Sequence, residues 1–224
     1  MNAQPGLLIA GTHSGCGKTT VTLAVMAALA RRGVRVQPFK CGPDFIDPSL
    51  HRLVTGRVSR NLDVRMCGAA FVRRTFARHA PADGCSVVEG VMGLFDGDLG
   101  SAASLAKTLG LPVVLVVDVR SAAESVAAVV KGFDTLDPEV RVAAVVANRI
   151  GSARRGERVA AAIRAHGRPE VLCLVPRRAE VAIPSRQLGL HMGEGQPLTA
   201  GGLDQLARLA EDHLDLDRLL ALAE

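Results

Sequence analysis

Residues 7–22, LLIAGTHSGCGKTTVT, constrain this chain more than any other stretch. Four apolar residues, Leu7, Leu8, Ile9 and Ala10, run into a glycine-rich turn that closes on Gly17-Lys18-Thr19-Thr20. A segment with helical spacing follows at once. A buried strand, a glycine-rich turn and a helix in that order form a phosphate-binding loop. Glycines let backbone N–H groups close around phosphate oxygens, a lysine reaches the terminal phosphates, and a hydroxyl meets Mg²⁺. The pattern asks for glycine six places before Lys18, where this chain has Thr12; Gly11 sits one place earlier. The candidate nucleotide-binding residues are Thr12, Gly15, Cys16, Gly17, Lys18, Thr19 and Thr20.

The rest of the chain alternates between apolar runs and amphipathic segments. Helices are expected over residues 20–32, 71–79, 101–109, 121–136, 155–166, 203–212 and 214–223. Strands are expected over residues 34–39, 85–88, 112–117, 140–147 and 171–174. Residues 49–84 are otherwise irregular, with His51, Arg60, Asn61, Asp63 and Arg65 among turns. Such alternation predicts an α/β fold with a doubly wound, mostly parallel sheet covered by helices on both faces. The 48% hydrophobic content suits that core, and with no Trp, no Tyr and six Phe the core must be aliphatic. The expected division is one domain over residues 1–192 and a helical appendage over residues 193–224.

Acidic residues collect where such a sheet binds ligands. Lys40-Cys41-Gly42-Pro43-Asp44-Phe45-Ile46-Asp47-Pro48 reads as a loop led by a lysine. Asp44 and Asp47 there are either Mg²⁺ partners or caps of a turn and a helix. Glu89 ends one buried strand and Asp118 ends another, at the edge where open α/β sheets bind ligands. By pattern alone the longer apolar run makes Asp118 the better metal-side acid. Asp96 lies in a second glycine-rich loop, and Asn148 ends a strand, as a helix cap or as a ligand contact.

Several function classes fall away. Net charge is +5, but the basic residues form only short clusters such as Arg73-Arg74, and no aromatics interleave them to stack bases. Nucleic acid is therefore not the expected partner. No apolar run reaches the ~18 residues of a membrane span. The N-terminus lacks the basic and apolar regions of a signal peptide, so the expected location is the cytoplasm. Five cysteines without a CxxC pair point to reduced thiols.

The ordered set GTHSGCGKTT, FKCGPDFIDP, RNLD, VEGVMGLFDG, PVVLVVDVR, ANRI and PSRQLGL resembles one family over residues 7–192. It is similar to the ATP-dependent synthetase domain of cobyrinic or hydrogenobyrinic acid a,c-diamide synthases, relatives of dethiobiotin synthetase. The resemblance implies ATP and Mg²⁺ as cofactors and a corrinoid polycarboxylate as substrate. It implies amidation of the a and c side-chain carboxylates of a corrin-ring precursor through an acyl phosphate, a step of cobalamin biosynthesis. It also implies a homodimer, and ammonia from a C-terminal glutaminase domain that these 224 residues do not include, from a separate glutaminase, or free.

Roles follow from the same resemblance. Lys18 holds the β- and γ-phosphates, and Lys40 bridges the γ-phosphate and the substrate carboxylate. Thr19, Asp44 and Glu89 stand on the metal side, ahead of Asp118. Asp47 and Asp96 match acids associated with substrate and intermediate, and Asn148 stands where adenine is recognised. Where the family shows Arg-His-Leu-Gly-Leu, this chain has Arg186-Gln187-Leu188-Gly189-Leu190. Position 13 is His, not the signature lysine of MinD-type ATPases, which speaks against a ParA/MinD-like switch. A nickel-sirohydrochlorin a,c-diamide synthase shares the motifs and remains the alternative within the family.

Overall fold

A computed structural model of the chain describes residues 4–167, 169–177 and 199–224. The chain runs β1 (Gly6–Gly11), α1 (Lys18–Arg31), β2 (Arg35–Cys41), α2 (Ile46–Thr55), β3 (Arg60–Leu62), α3 (Val64–Cys67), α4 (Ala69–His79) and β4 (Gly84–Gly93). A 3₁₀ turn at Asp98–Gly100 leads to α5 (Ala102–Leu109), β5 (Val113–Asp118), α6 (Val126–Thr135), β6 (Val142–Ile150), α7 (Ala153–Arg164) and β7 (Glu170–Pro176). After the undescribed stretch come α8 (Ala200–His213) and α9 (Leu216–Ala223). The seven strands form one sheet in the order β3-β2-β4-β1-β5-β6-β7, and every neighbouring pair is parallel. The expected doubly wound parallel sheet is present. Among the described residues, no helix is long and apolar enough to cross a membrane.

The strand period of two divides the core into two layers. Leu7 and Ile9 of β1 face the layer built with α1, while Leu8 and Ala10 face the other. β5 does the same, with Val114 and Val116 against Val113, Leu115 and Val117. Such strands, apolar on both faces, are the ones a parallel sheet requires. The α1 layer also holds Leu206, Leu209, Leu214 and Leu219, so α8 and α9 pack over α1 into the main core. Arg31 of α1 reaches across to Asp204 and Glu211 of α8. Those exposed ion pairs contribute little, because solvent and salt screen them. The buried leucines hold α8 in place.

The same alternation sorts the polar residues. Phe39 and Cys41 face the α4–α5 layer, so Lys40 between them faces α1 and α2. Val88 faces the α4–α5 layer, so Glu89 also faces α1. Lys40 and Glu89 are direct partners across the β2–β4 pairing.

Several boundaries differ from the sequence expectation. Lys40 belongs to β2 and not to the loop after it, because β2 continues to Cys41 against β3. β4 runs four residues past Glu89, to Gly93. Residues 46–55, expected as loop and irregular chain, form α2. Pro48 falls in its first turn, where a missing N–H costs nothing. The Asp44 carboxylate accepts from the N–H groups of Ile46 (2.8 Å) and Asp47 (3.2 Å), which starts the helix. The Arg186–Leu190 segment and the expected 192/193 boundary lie outside the described residues.

Candidate functional site

The loop between β1 and α1 is shaped by two close approaches. A Cβ on Gly11 would meet Cys16 Sγ at 2.4 Å, so glycine is needed here rather than at Thr12. Gly17 caps α1 at φ +95°, and a Cβ there would meet Asn148 Nδ2 at 2.1 Å. Cys16 is fully buried beneath the loop, a small apolar filler. Thr12 pairs its hydroxyl with His13 Nδ1 at 3.0 Å. Thr20 follows Thr19 in the first turn of α1, on the cavity wall.

Below the loop lies a charged cluster. Thr19 Oγ1 donates to Glu89 Oε1 at 2.6 Å, and Lys18 Nζ lies 3.6 Å from the same oxygen. The other carboxylate oxygen, Oε2, is 2.7 Å from His51 Nε2. An ionised carboxylate only accepts, so the ring nitrogen is the donor. His51 Nδ1 meets Ser59 Oγ at 2.9 Å, which fixes the ring at both ends. Lys40 Nζ donates to Gly90 O (3.0 Å) and Cys41 O (3.3 Å) and lies 3.6 Å from Asp47 and 3.8 Å from Asp44. Lys40, Asp47, His51 and Glu89 are all essentially removed from solvent.

Burial opposes ionisation of Glu89. The His51 hydrogen bond and the charges of Lys18, His51 and Lys40 outweigh it, and its pKa falls from 4.5 to about 2. A depressed folded-state pKa stabilises the fold only while the group is ionised. That contribution is full above about pH 4.5 and is lost as pH falls through about 2. Glu89 is therefore an anion throughout the neutral range.

A cavity of about 430 Å³ opens over this cluster, lined by Ser14, Gly15, Gly17, Lys18, Thr19 and Thr20 of the loop and by Lys40, Asp44, Asp47, Val91, Met92 and Arg149. A larger one, about 800 Å³, lies at the opposite end of the sheet beside Gly6 and Pro112 and contains none of the candidate residues. The structure thus gathers Lys18, Thr19, Lys40, Asp44, Asp47 and Glu89 in one place. Asp96 is exposed, and its carboxylate accepts from Gly93 N at 2.9 Å to shape the turn after β4. Asp118 is engaged elsewhere, 2.5 Å from Arg149 Nη1. Asn148 sits in β6 and donates from Nδ2 to Cys16 O at 2.9 Å, so it is not a helix cap.

Among the described residues, no cluster of three or more His, Cys, Asp or Glu side chains is set to hold a metal. Thr19 and Glu89 still fit Mg²⁺. That ion takes one or two protein oxygens and completes its shell with phosphate and water. All five cysteines are free thiols. Burial pushes Cys41 up to about 11 and Cys85 up to about 12, so neither is poised as a nucleophile.

His51 is the functional candidate that the sequence did not reveal. Its signal is its spacing: four residues after Asp47, it shares the buried face of α2. His51→Ala leaves Glu89 buried with one donor fewer, and unfolding free energy falls by about 2 kcal/mol. His51→Gln, which can still donate, recovers part of it; chemical denaturation checks both.

A sequence profile described as the CobQ/CobB/MinD/ParA nucleotide binding domain matches residues 7–190. The chain belongs to this family. Among curated proteins it is similar to the cobyrinate a,c-diamide synthase of Syntrophotalea carbinolica, with 47% identity over 98% of this chain and 49% of that protein. It is 43% identical to the cobyrinate a,c-diamide synthase of Listeria monocytogenes over 97% of this chain and 50% of that protein. It is 46% identical to the hydrogenobyrinate a,c-diamide synthase of Streptomyces coelicolor over 99% of this chain and 47% of that protein. The chain spans about half the length of the curated relatives it matches. Among solved structures, chloroplast FtsY from Physcomitrella patens shares the fold, with TM-score 0.58 and 19% identity over 92% of this chain and 66% of that one. The resemblance seen in the motifs thus extends across almost the whole sequence.

Proposed function

We propose that this chain is the ATP-using half of an amide-forming ligase that amidates the a and c side-chain carboxylates of a corrin-ring precursor. The observation that carries the reading is the similarity, over 97–99% of the chain, to three proteins named as a,c-diamide synthases. The site supports it chemically. A carboxylate and a triphosphate repel each other, so a site that joins them needs cations between them and little water. Lys18 and Lys40 stand on the wall of one cavity, each with a carboxylate within 4 Å.

In the proposed reaction a substrate carboxylate oxygen attacks the γ-phosphorus of ATP. The bond to ADP breaks and an acyl phosphate forms. Ammonia then attacks the acyl carbon, the carbon–oxygen bond breaks, phosphate leaves, and the nitrogen loses a proton. Lys18 neutralises the β- and γ-phosphates. Lys40 holds the attacking carboxylate against the γ-phosphate, and Asp44 and Asp47 fix the Lys40 ammonium. Thr19, Glu89 and Asp44 would hold Mg²⁺, which would neutralise charge on the phosphates. Asn148 retains one amide N–H and one lone pair beyond its internal bonds, which suits an adenine edge. Asp96 orders the loop over the cavity. The ammonia comes from glutamine through a glutaminase domain, or is supplied free. The chemistry belongs in the cytoplasm, where the five free thiols persist.

ATP turnover with ammonia, measured with and without cobyrinic or hydrogenobyrinic acid, tests this. Stimulation by either ring acid, with an amidated product by mass spectrometry, is the expected result. Stimulation by DNA or lipid, and by no tetrapyrrole acid, would replace the ligase with a ParA/MinD-like switch.

A further inference from the structure

The ends of β5 and β6 carry a charged pair that the reaction above does not use. Asp118 closes β5 and pairs with Asn148 of β6. Arg149 comes next, at φ +64°, a conformation rare for a non-glycine residue. The β6–β7 register slips between Ala147 and Ile150, so the strain sits at an irregularity in the sheet. From there Arg149 Nη1 donates to Gly15 O at 2.8 Å and to Asp118 Oδ2 at 2.5 Å. Arg120 Nε lies 3.2 Å from the same carboxylate oxygen. Asn148 Nδ2 donates to Cys16 O at 2.9 Å, and Asn148 Oδ1 accepts from Arg149 N at 2.9 Å.

Two consecutive carbonyls of the phosphate loop are therefore held by two consecutive residues of β6. In a trans peptide the C=O of one residue and the N–H of the next point in opposite directions. Holding Gly15 O and Cys16 O from the β6 side turns the N–H groups of Cys16 and Gly17 the other way. Those are the groups that a polyphosphate needs. The Arg149 side chain is about a third exposed, and it covers the Asp118 carboxylate, which is nearly removed from solvent.

We propose that Asp118 and Arg149 form a clamp that pre-sets the loop amides, which makes Arg149 a positioning residue for the polyphosphate rather than a reader of the base. Asp118 orients the guanidinium, and the strained backbone at Arg149 aims it. The proposal rests on nucleotide binding alone, so it stands or falls separately from amidation.

The test is calorimetric titration of the purified chain with ATP and with inorganic tripolyphosphate, alongside thermal melting. Arg149→Ala weakens both ligands by about tenfold, as expected for losing a charge-assisted hydrogen bond. Asp118→Asn weakens both by less, and the double variant is no weaker than Arg149→Ala alone, because the pair acts as a unit. Arg149→Gly relieves the positive φ, so it melts no lower than Arg149→Ala yet binds as weakly. Affinities within about twofold of wild type would overturn the clamp. So would loss of ATP binding with tripolyphosphate unaffected, which would make Arg149 a nucleoside contact. So would affinities that simply follow melting temperature across the variants.

Discussion

Glu89→Gln keeps the fold and lowers corrinoid-stimulated ATP turnover by about a hundredfold or more. The amide matches the carboxylate in shape, and it can still accept from Thr19 Oγ1 or His51 Nε2, which lie 2.6 Å and 2.7 Å from the carboxylate oxygens. What disappears is the negative charge at the foot of the cavity, beside Lys18. Without that charge Thr19 and Asp44 remain on the metal side, and Mg²⁺ dependence shifts to higher concentration. Turnover assayed across a Mg²⁺ series, with circular dichroism as the control for folding, checks this. A variant with wild-type turnover at every Mg²⁺ concentration would remove Glu89 from the site. Asp118→Asn supplies the contrast: its carboxylate contacts Arg149 and Arg120, so the Mg²⁺ dependence stays where it is.

Lys40→Ala has the larger effect. Its ammonium is essentially removed from solvent, donates to two backbone carbonyls and faces two carboxylates. Deleting it removes a buried cation from beside the Asp44 and Asp47 carboxylates. Stability falls by about 3 kcal/mol, the scale for breaking a buried charge pair. Turnover falls by about a thousandfold, the scale for losing a cation that stabilises a phosphoryl-transfer transition state. Nucleotide affinity measured below the melting transition separates the two effects. ATP still binds through the loop and Lys18, while turnover is lost. Turnover within about tenfold of wild type would show that Lys40 is structural only.

Local sequence reveals Glu89 and Lys40 to different degrees. The phosphate loop, the sheet and Glu89 at the end of its apolar run follow from local sequence, because strand burial and glycine turns are local properties. Lys40 was expected on a loop, since the glycine and prolines after it read as breakers. The long-range pairing of β2 with β3 on one side and β4 on the other keeps it in the strand. Its partnership with Glu89 is a matter of register, which no local pattern encodes. His51 was hidden for the same reason. Pro43 and Pro48 suggested irregular chain, whereas Pro48 sits harmlessly in the first turn of α2 and Asp44 starts the helix. Once residues 46–55 are helical, Asp47 and His51 fall on one buried face. The apolar run before Asp118 is the stronger strand signal, yet β5 places that carboxylate against Arg149, while β4 places Glu89 against Thr19. Neighbour order in the sheet decides that difference, and only the folded chain reveals it.

In the proposed reaction ATP activates a carboxylate of the ring acid. The most direct test of that step is heavy-oxygen transfer. The purified chain is given ATP, Mg²⁺, ammonia and a corrin-ring acid whose side-chain carboxylates carry the heavy oxygen isotope, and the released phosphate is analysed by mass spectrometry. An acyl phosphate intermediate delivers one labelled oxygen from the ring acid to the phosphate for each amide formed. Turnover that releases only unlabelled phosphate would contradict it.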